Sequence, residues 1–225
     1  MISKHRLNLL AFAEPLSKEA KYWIGFLLAD GCIGSNKGYA TIGLTLKFSD
    51  IEHIRKFARF VGVLEESVLE FKAMTTFGEQ HGAKLLFTGK ELVLQLAKYG
   101  IVPRKSGREI VADILSLDID FWRGMVDGDG CISIDKLGRP LISFAGSFQA
   151  VSKFRDFLQT IACVANSHTN AEKPYLLPNK SIFQTGLGTR RARDLITALY
   201  YSGCDPVLAR KMAIAEKCKL WRIGT

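Results

Sequence analysis

Two segments of the chain have nearly the same sequence pattern, and they lie 99 residues apart, from Asp30 to Asp129. Each begins with an aromatic residue, Trp, a variable residue and Gly. Each ends in Asp-Gly-Cys-Ile, at Ile33 in the first and at Ile132 in the second. A period of this length is that of a duplicated domain and not of a solenoid repeat. With 225 residues, the chain can form two domains of about 110 residues that each bury a core.

The residues that follow each segment also come in one order. A polar turn leads to an alternating apolar strand, then to apolar residues at helical spacing, and then to a second strand and a second helix pattern. Each half closes with a basic pair, at Lys105 in the first and at Lys211 in the second. The order predicts two halves, 1–110 and 111–225, that each fold as helix, hairpin, helix, hairpin, helix.

The helix in each repeated segment carries small residues on one face. Gly25 and Ala29 lie four apart in the first helix, and Gly124 and Gly128 do so in the second. Because Gly inside a helix costs about 1 kcal/mol relative to Ala, its presence needs a reason, and close approach of another backbone is the simplest. The spacing therefore predicts that the two helices pack through these faces, with their carboxyl ends side by side.

An aspartate ends each helix, Asp30 before Gly31 and Asp129 before Gly130. We expect both glycines to take the left-handed conformation that ends many helices. A carboxylate is unfavourable at the negative end of a helix dipole, and two that converge also repel. Mg²⁺, a hard cation with oxygen ligands, offsets such charge, so the pair predicts a metal site with the two glycine carbonyls as further ligands. For one copy alone a plain turn is the simpler interpretation, but two matched copies favour the site.

Residues 23–31 and 122–130 resemble the two signature helices of single-chain LAGLIDADG homing endonucleases. The repeated pattern extends this resemblance over nearly the whole chain. The resemblance implies an α+β fold, a pseudo-twofold duplicated αββαββα repeat. In it, two antiparallel β-sheets form a saddle on DNA, and the LAGLIDADG helices lie at the interface between the halves.

The resemblance also implies a function. By this resemblance, Asp30 and Asp129 are the metal-binding catalytic acids, and each serves the cutting of one DNA strand. Two or three Mg²⁺ ions would lie between them, and Mn²⁺ or Ca²⁺ would also fit. The implied product is a double-strand break in a long site of double-stranded DNA, made by a monomer that needs no protein partner. Two positions depart from the family pattern. Leu28 stands where the motif often has its first acid, which Asp127 supplies in the second copy, and Arg123 stands where a small residue is usual.

Further candidates follow from positions in the repeat. Lys47, Ser49 and Asp50 at the end of one strand, and Ser147 and Gln149 at the end of its match, are candidates for orienting the attacking water. Lys105 and Lys211 are candidates for stabilising charge on the phosphate. A single lysine is more often a solvated surface charge, and the paired placement is what supports this role. A β-ribbon fits the major groove, so basic residues of the hairpins are DNA-binding candidates: Lys37, Lys47, Lys72, Lys136, Arg139, Lys173 and Lys180. Three aromatic residues of the hairpins are expected in the core: Tyr39, Phe71 and Phe77.

The charge balance supports a polyanionic partner. The chain has 31 Lys and Arg against 22 Asp and Glu, a formal net charge of +9. Its five cysteines are odd in number and show no Cys-x-x-Cys spacing, which argues against a zinc site or a disulfide framework and favours a reducing compartment. No apolar run is long enough to cross a bilayer. We therefore predict a cytoplasmic or organellar-matrix protein that is not secreted.

Two other functions use the same scaffold. One is that of an RNA maturase that assists group I intron splicing, and the other is that of a non-catalytic DNA-binding protein. Because both helix-ending acids are present, the sequence favours cutting over either alternative.

Overall fold

The computed structural model describes residues 7–76, 78–161, 175–176 and 182–222. The first half contains α1 (Lys18–Asp30), β1 (Gly31–Asn36), β2 (Tyr39–Lys47), α2 (Ile51–Val61), β3 (Leu69–Thr75), β4 (Gly78–Thr88) and α3 (Lys90–Ala97). The second contains α4 (Ile119–Asp129), β5 (Gly130–Ile134), β6 (Pro140–Gly146), α5 (Phe148–Thr160), β7 (Tyr175–Leu176), β8 (Phe183–Gly188), α6 (Thr189–Leu199) and α7 (Ala209–Lys219). The predicted α+β repeat is confirmed.

Each half forms one antiparallel four-stranded sheet, with strand orders β1-β2-β4-β3 and β5-β6-β8-β7. Gly31 pairs with Leu44 in the first sheet, and Gly130 pairs with Phe144 in the second. The offset between matched residues is therefore 99 before the first hairpin turn and 100 after it.

The sheets bury one face against helices. In the first sheet Ile42, Leu44 and Leu85 are buried, and they alternate with residues on the opposite face, as the period of two in a strand requires. Helix α2 packs on this buried face through Ile54 and Phe57. The opposite face of the sheet is left uncovered by these helices.

The signature helices α1 and α4 pack backbone to backbone. A Cβ placed on Gly25 would overlap the carbonyl oxygen of Phe121, and one on Gly124 would overlap that of Tyr22. A Cβ on Gly128 would likewise overlap the side chain of Ala29. Small side chains at these positions are therefore what allows the two halves to meet along α1 and α4.

The expectation of left-handed glycines at the ends of these helices is wrong. Gly31 has φ −74° and ψ 156°, and Gly130 has φ −78° and ψ 162°, so both are extended. The chain passes directly from each helix into a strand and needs no reversal there. Glycine is required for space instead, because a Cβ would lie 2.7 Å from the carbonyl oxygen of Leu27 in one case and of Val126 in the other.

The second half has a helix that the sequence pattern did not predict. Helix α7 follows α6 and carries the basic pair Arg210-Lys211, whereas the first half holds its equivalent pair in the segment after α3. Lys211, Ala215 and Cys218 are buried on one face of α7, at helical spacing. The apolar face of α7 is short, so the sequence pattern there predicts no helix separate from α6.

One aromatic residue expected in the core is exposed. Tyr39 opens β2 and is 69% exposed, because it shares with Lys47 the face of the strand that the helices leave uncovered. Phe71 is half-buried, and Phe77 lies outside the described residues. Among the residues that the structure describes, no helix is long and apolar enough to cross a membrane.

Candidate active site

The two helix-ending acids lie together. Asp30 and Asp129 are the last residues of α1 and α4, which pack along their length. The Asp30 carboxylate lies against the partner helix, since a Cβ on Gly128 would be 3.4 Å from its Oδ2 atom. The charge of Asp30 also acts on Asp129 and raises the pKa of that carboxyl. The structure thus places both acids at one point of the interface.

Both carboxyls hold their proton more tightly than usual. Burial is the main cause in each case: it raises the pKa of Asp30, against the opposing charges of Lys211, Lys105 and Arg210. Burial and the charge of Asp30 together raise the pKa of Asp129 to about 6. Both carboxyls are therefore easier to protonate than exposed ones, and a cation bound between them would favour their ionised form.

Two buried lysines close the carboxyl ends of the helices. The Lys105 Nζ donates to the carbonyl oxygen of Ala29 at 2.8 Å. The Lys211 Nζ donates to Val126 at 2.5 Å, to Gly130 at 2.7 Å and to Gly128 at 3.2 Å. Each ammonium thus offsets the negative end of a helix dipole, and the two lysines occupy matched places in the halves.

The lysines are held in an environment that disfavours their charge. Burial lowers the pKa of Lys105, and the charges of Asp129 and Glu109 oppose that effect. Burial lowers the pKa of Lys211 to about 8, chiefly against the charge of Asp127. With a pKa of about 8, Lys211 remains mostly charged at neutral pH. Both lysines lie within electrostatic reach of Asp30.

The donor set suits a hard cation in part. Asp30 and Asp129 offer carboxylate oxygens that repel one another, and a cation between them would relieve that repulsion. Within the described ranges, no group of three or more His, Cys, Asp or Glu gathers to hold a metal. The carbonyl of Gly130 already accepts from Lys211, so a metal there would compete with an ammonium. A bound ion would therefore complete its coordination with water or substrate oxygens.

Ser49 and Gln149 have different surroundings. Ser49 is exposed and lines the same groove as Asp30, a cavity of about 890 Å³. The Gln149 Oε1 accepts from the Val111 N–H at 2.8 Å, and its Nε2 donates to the Val111 carbonyl at 3.2 Å. Gln149 thus fixes the segment that connects the halves, and the structure does not present it to the acids as the sequence predicted.

Asp50, Arg210 and Glu109 also belong to the site, and of these the sequence predicted only Asp50. Asp50 is buried and accepts from the Arg210 Nε at 2.9 Å, across the interface between the halves. Glu109 is buried and accepts from the Gly107 and Ser147 N–H groups, and its charge acts on Asp129. Asp50 adjoins Ser49, and Arg210 belongs to the repeated basic pair, so both had a sequence signal. Glu109 lies in the connecting segment and had none.

The candidate DNA-binding residues lie on different faces. Leu44 and Leu46 lie on the face of β2 that packs against the core. Because side chains alternate along a strand, Lys47 lies on the opposite, uncovered face of the first sheet. Lys84, not predicted, shares that face. Lys72 pairs with His81 in the ladder, lies on the other face, and is 3.5 Å from Glu79. Lys72 as a DNA contact therefore stays a prediction, on a different face of the sheet from Lys47.

The remaining basic candidates lie at hairpin tips or beyond the described residues. Lys37 is exposed in the β1–β2 turn with φ 49°. Lys136 is exposed in the β5–β6 turn, where the Arg139 Nε is 2.7 Å from Asp135. Lys173 and Lys180 lie outside the residues that the structure describes.

The fold defined by two packed signature helices under two antiparallel sheets is that of the LAGLIDADG homing endonucleases. One solved structure with this fold is that of the homing endonuclease I-WcaI bound to its DNA recognition sequence. It has a TM-score of 0.55 and 15% identity, over 87% of this chain and 85% of that one. Another is the I-SmaMI LAGLIDADG homing endonuclease bound to cleaved DNA, with a TM-score of 0.53 and 10% identity, over 91% of this chain and 88% of that one. No protein-family model and no curated protein matches the sequence.

Proposed function

We propose that this protein is a site-specific DNA endonuclease that makes metal-dependent double-strand breaks as a monomer. The observation that carries the proposal is the meeting of Asp30 and Asp129 at matched ends of packed helices, each end closed by a buried lysine. Two structural neighbours support it, one bound to its DNA recognition sequence and the other bound to cleaved DNA. The net charge of +9 suits a polyanionic substrate.

The chemistry is phosphodiester hydrolysis. A water oxygen attacks the phosphorus, the bond from phosphorus to the leaving sugar oxygen breaks, that oxygen takes up a proton, and the water proton passes to solvent. Mg²⁺, when bound by Asp30 and Asp129, supplies charge that favours ionisation of water and offsets charge on the phosphate. The chain itself contributes the ammonium groups of Lys105 and Lys211, which lie beside the acids and stabilise negative charge developing on the phosphate. Ser49, exposed in the same groove, orients the water.

The uncovered sheet faces bind the DNA. Lys47 and Lys84 contact phosphates from the first sheet, and the exposed hairpin residues Lys37 and Lys136 extend the contact at its ends. The halves are already joined in one chain through α1 and α4, so one molecule presents both faces and needs no second copy.

The test begins with a protein that binds without cutting. The double variant Asp30→Asn, Asp129→Asn is used to select duplexes from a random-sequence pool, and the selected duplex is then incubated with the wild-type protein and Mg²⁺. We expect both strands of the duplex to be cut, and each single Asn variant to lose double-strand cutting. Asp113→Asn, which removes an exposed carboxylate that pairs with Lys153, is the matched control and keeps full activity.

The other functions give other results. Tight binding of the selected duplex with no cutting in Mg²⁺, Mn²⁺ or Ca²⁺ overturns the nuclease proposal and leaves a DNA-binding protein. Cutting that persists in the double Asn variant would show that the acids are not the catalytic pair.

A further inference from the structure

Arg210, in the second half, forms an ion pair with Asp50 of the first half. It lies in the first turn of α7, and its Nε donates to the Asp50 carboxylate at 2.9 Å. The Asp50 side chain is 5% exposed, whereas that of Arg210 is 49% exposed. Both residues line the groove that contains Asp30 and Ser49. The charge of Arg210 lowers the pKa of Asp30, so the guanidinium lies within electrostatic reach of that acid.

The buried Asp50 carboxylate orients the Arg210 guanidinium and occupies only one of its N–H donors. Arginine has five N–H donors in a planar fork, and here the described residues engage only the one on Nε. Asp50 thus fixes the plane of the fork at its inner edge, and the two terminal nitrogens remain available to the groove. A planar pair of N–H groups held in this way matches two oxygens of a phosphate.

The other half lacks this arrangement. Arg104 precedes Lys105 as Arg210 precedes Lys211, but it is exposed and lies at φ 58° in a segment outside any helix. The position that matches Asp50 is Ala150, which is buried and has no carboxylate. The two halves therefore match in their acids and lysines and differ in this arginine.

We propose that Arg210 is a catalytic residue that grips the scissile phosphate of the strand cut at Asp30, with Asp50 as its positioning residue. The inference rests on the proposed nuclease function and deepens it. Its consequence is that the two strands are not cut alike: loss of Arg210 slows one strand, and loss of Arg104 does not slow the other to the same extent.

Strand-specific cutting tests the proposal. Two forms of the selected duplex are made, each already nicked in one strand at its scissile position, so that each leaves one strand to cut. We expect Arg210→Ala to slow one form by at least about a hundredfold, the low end for removing one donor to developing charge. The rate for the other form should change far less. Asp50→Asn should slow the same form, and Arg104→Ala is the matched control with little effect on either.

A binding measurement separates contact with the phosphate from folding. The selected duplex is prepared with an uncharged methylphosphonate at each scissile position in turn, and binding is measured without divalent ions. Wild-type protein should bind one substituted duplex more weakly than the unsubstituted duplex, and Arg210→Ala should bind the two with equal affinity. Urea unfolding of every variant shows whether loss of the ion pair has destabilised the fold.

The outcomes are distinct. If the wild-type protein cuts neither nicked duplex, the proposed function fails before this inference is reached. If the wild-type protein cuts both and Arg210→Ala slows them equally, or keeps the wild-type response to methylphosphonate at both positions, the assignment of Arg210 is overturned while the nuclease function stands.

Discussion

The first and second halves share a backbone pattern but bury different chemistry at matched positions. Leu28 in α1 is buried among apolar groups, whereas Asp127, its match in α4, is buried among three donors. His53 in α2 is buried, whereas Lys153 in α5 forms a surface ion pair with Asp113 at 2.8 Å. The duplication thus repeats the placement of the acids, while the surroundings of each copy have become unequal.

The difference lies mainly around α4. Asp127 accepts from Tyr22 at 2.7 Å, from Tyr200 at 2.6 Å and from the Leu208 N–H at 2.7 Å. Leu208 directly precedes α7, the helix that carries Arg210 and Lys211. The first acid of the second motif therefore anchors the segment that supplies basic groups to both acids. The first half has no such anchor, since Leu28 cannot accept a hydrogen bond.

The largest expected effect comes from making the second half like the first. Asp127→Leu leaves the Tyr200 hydroxyl and the Leu208 N–H without their acceptor and removes one of the two partners of the Tyr22 hydroxyl, the other being His53. We expect the free energy of unfolding to fall by about 3–5 kcal/mol. Urea unfolding measures it. In Asp127→Asn, which keeps an acceptor oxygen, the free energy of unfolding should fall by less. Equal losses in the two variants would contradict the role of Asp127 as a hydrogen-bond acceptor that anchors this segment.

A second prediction uses His53. Burial, followed by the charges of Lys56 and Arg210, lowers its pKa from 6.5 to about 3. Between these values the unfolded chain binds a proton that the folded protein excludes, so stability is lost as the pH falls through this range. The loss should reach about 2 kcal/mol by pH 5.

The matched variants are His53→Gln and Lys153→Gln. Unfolding free energies at pH 7 and pH 5 should differ less in His53→Gln than in the wild type, by about 2 kcal/mol, and should be unchanged in Lys153→Gln. A pH response in His53→Gln equal to that of the wild type would show that His53 does not cause the loss of stability in acid.

A third prediction compares the two acids. Burial and the charge of Asp30 raise the pKa of Asp129 to about 6 in the metal-free protein. Carboxyl NMR of the metal-free protein should give that midpoint directly. Asp30→Asn should lower it, since the charge of Asp30 contributes to the shift; a midpoint near 4 in both proteins would contradict the electrostatic coupling of the acids.

The smallest effect concerns the two faces of the first sheet. Lys84→Ala removes a phosphate contact and should reduce the slope of binding affinity against salt concentration by about 1. Lys72→Ala should leave the slope unchanged, because Lys72 lies on the opposite face beside Glu79. Affinity of the selected duplex at several salt concentrations measures both, and the reverse ranking would place DNA on the other face.

Much of the candidate site could be read from the repeat. The acids Asp30 and Asp129 end the two copies of the repeated segment, and the lysines Lys105 and Lys211 belong to the basic pair that closes each half. The structure brings all four together. Residues without a second copy gave no such signal. Glu109 is an example: it reaches the site only because the connecting segment folds back on Ser147.

The duplicated α+β fold, the contact of the two glycine-faced helices and the acids at their ends follow from the sequence alone. Periodicity and the spacing of small residues are local properties of a chain, and so they can be recognised without the tertiary structure. Tertiary structure decided which polar groups share a buried volume: Arg210 with Asp50, Tyr200 with Asp127, and Gln149 with Val111. These partners are far apart in sequence, and burial makes each dependent on the other. The packing of the halves, and not the repeat, therefore set the unequal surroundings of the two acids.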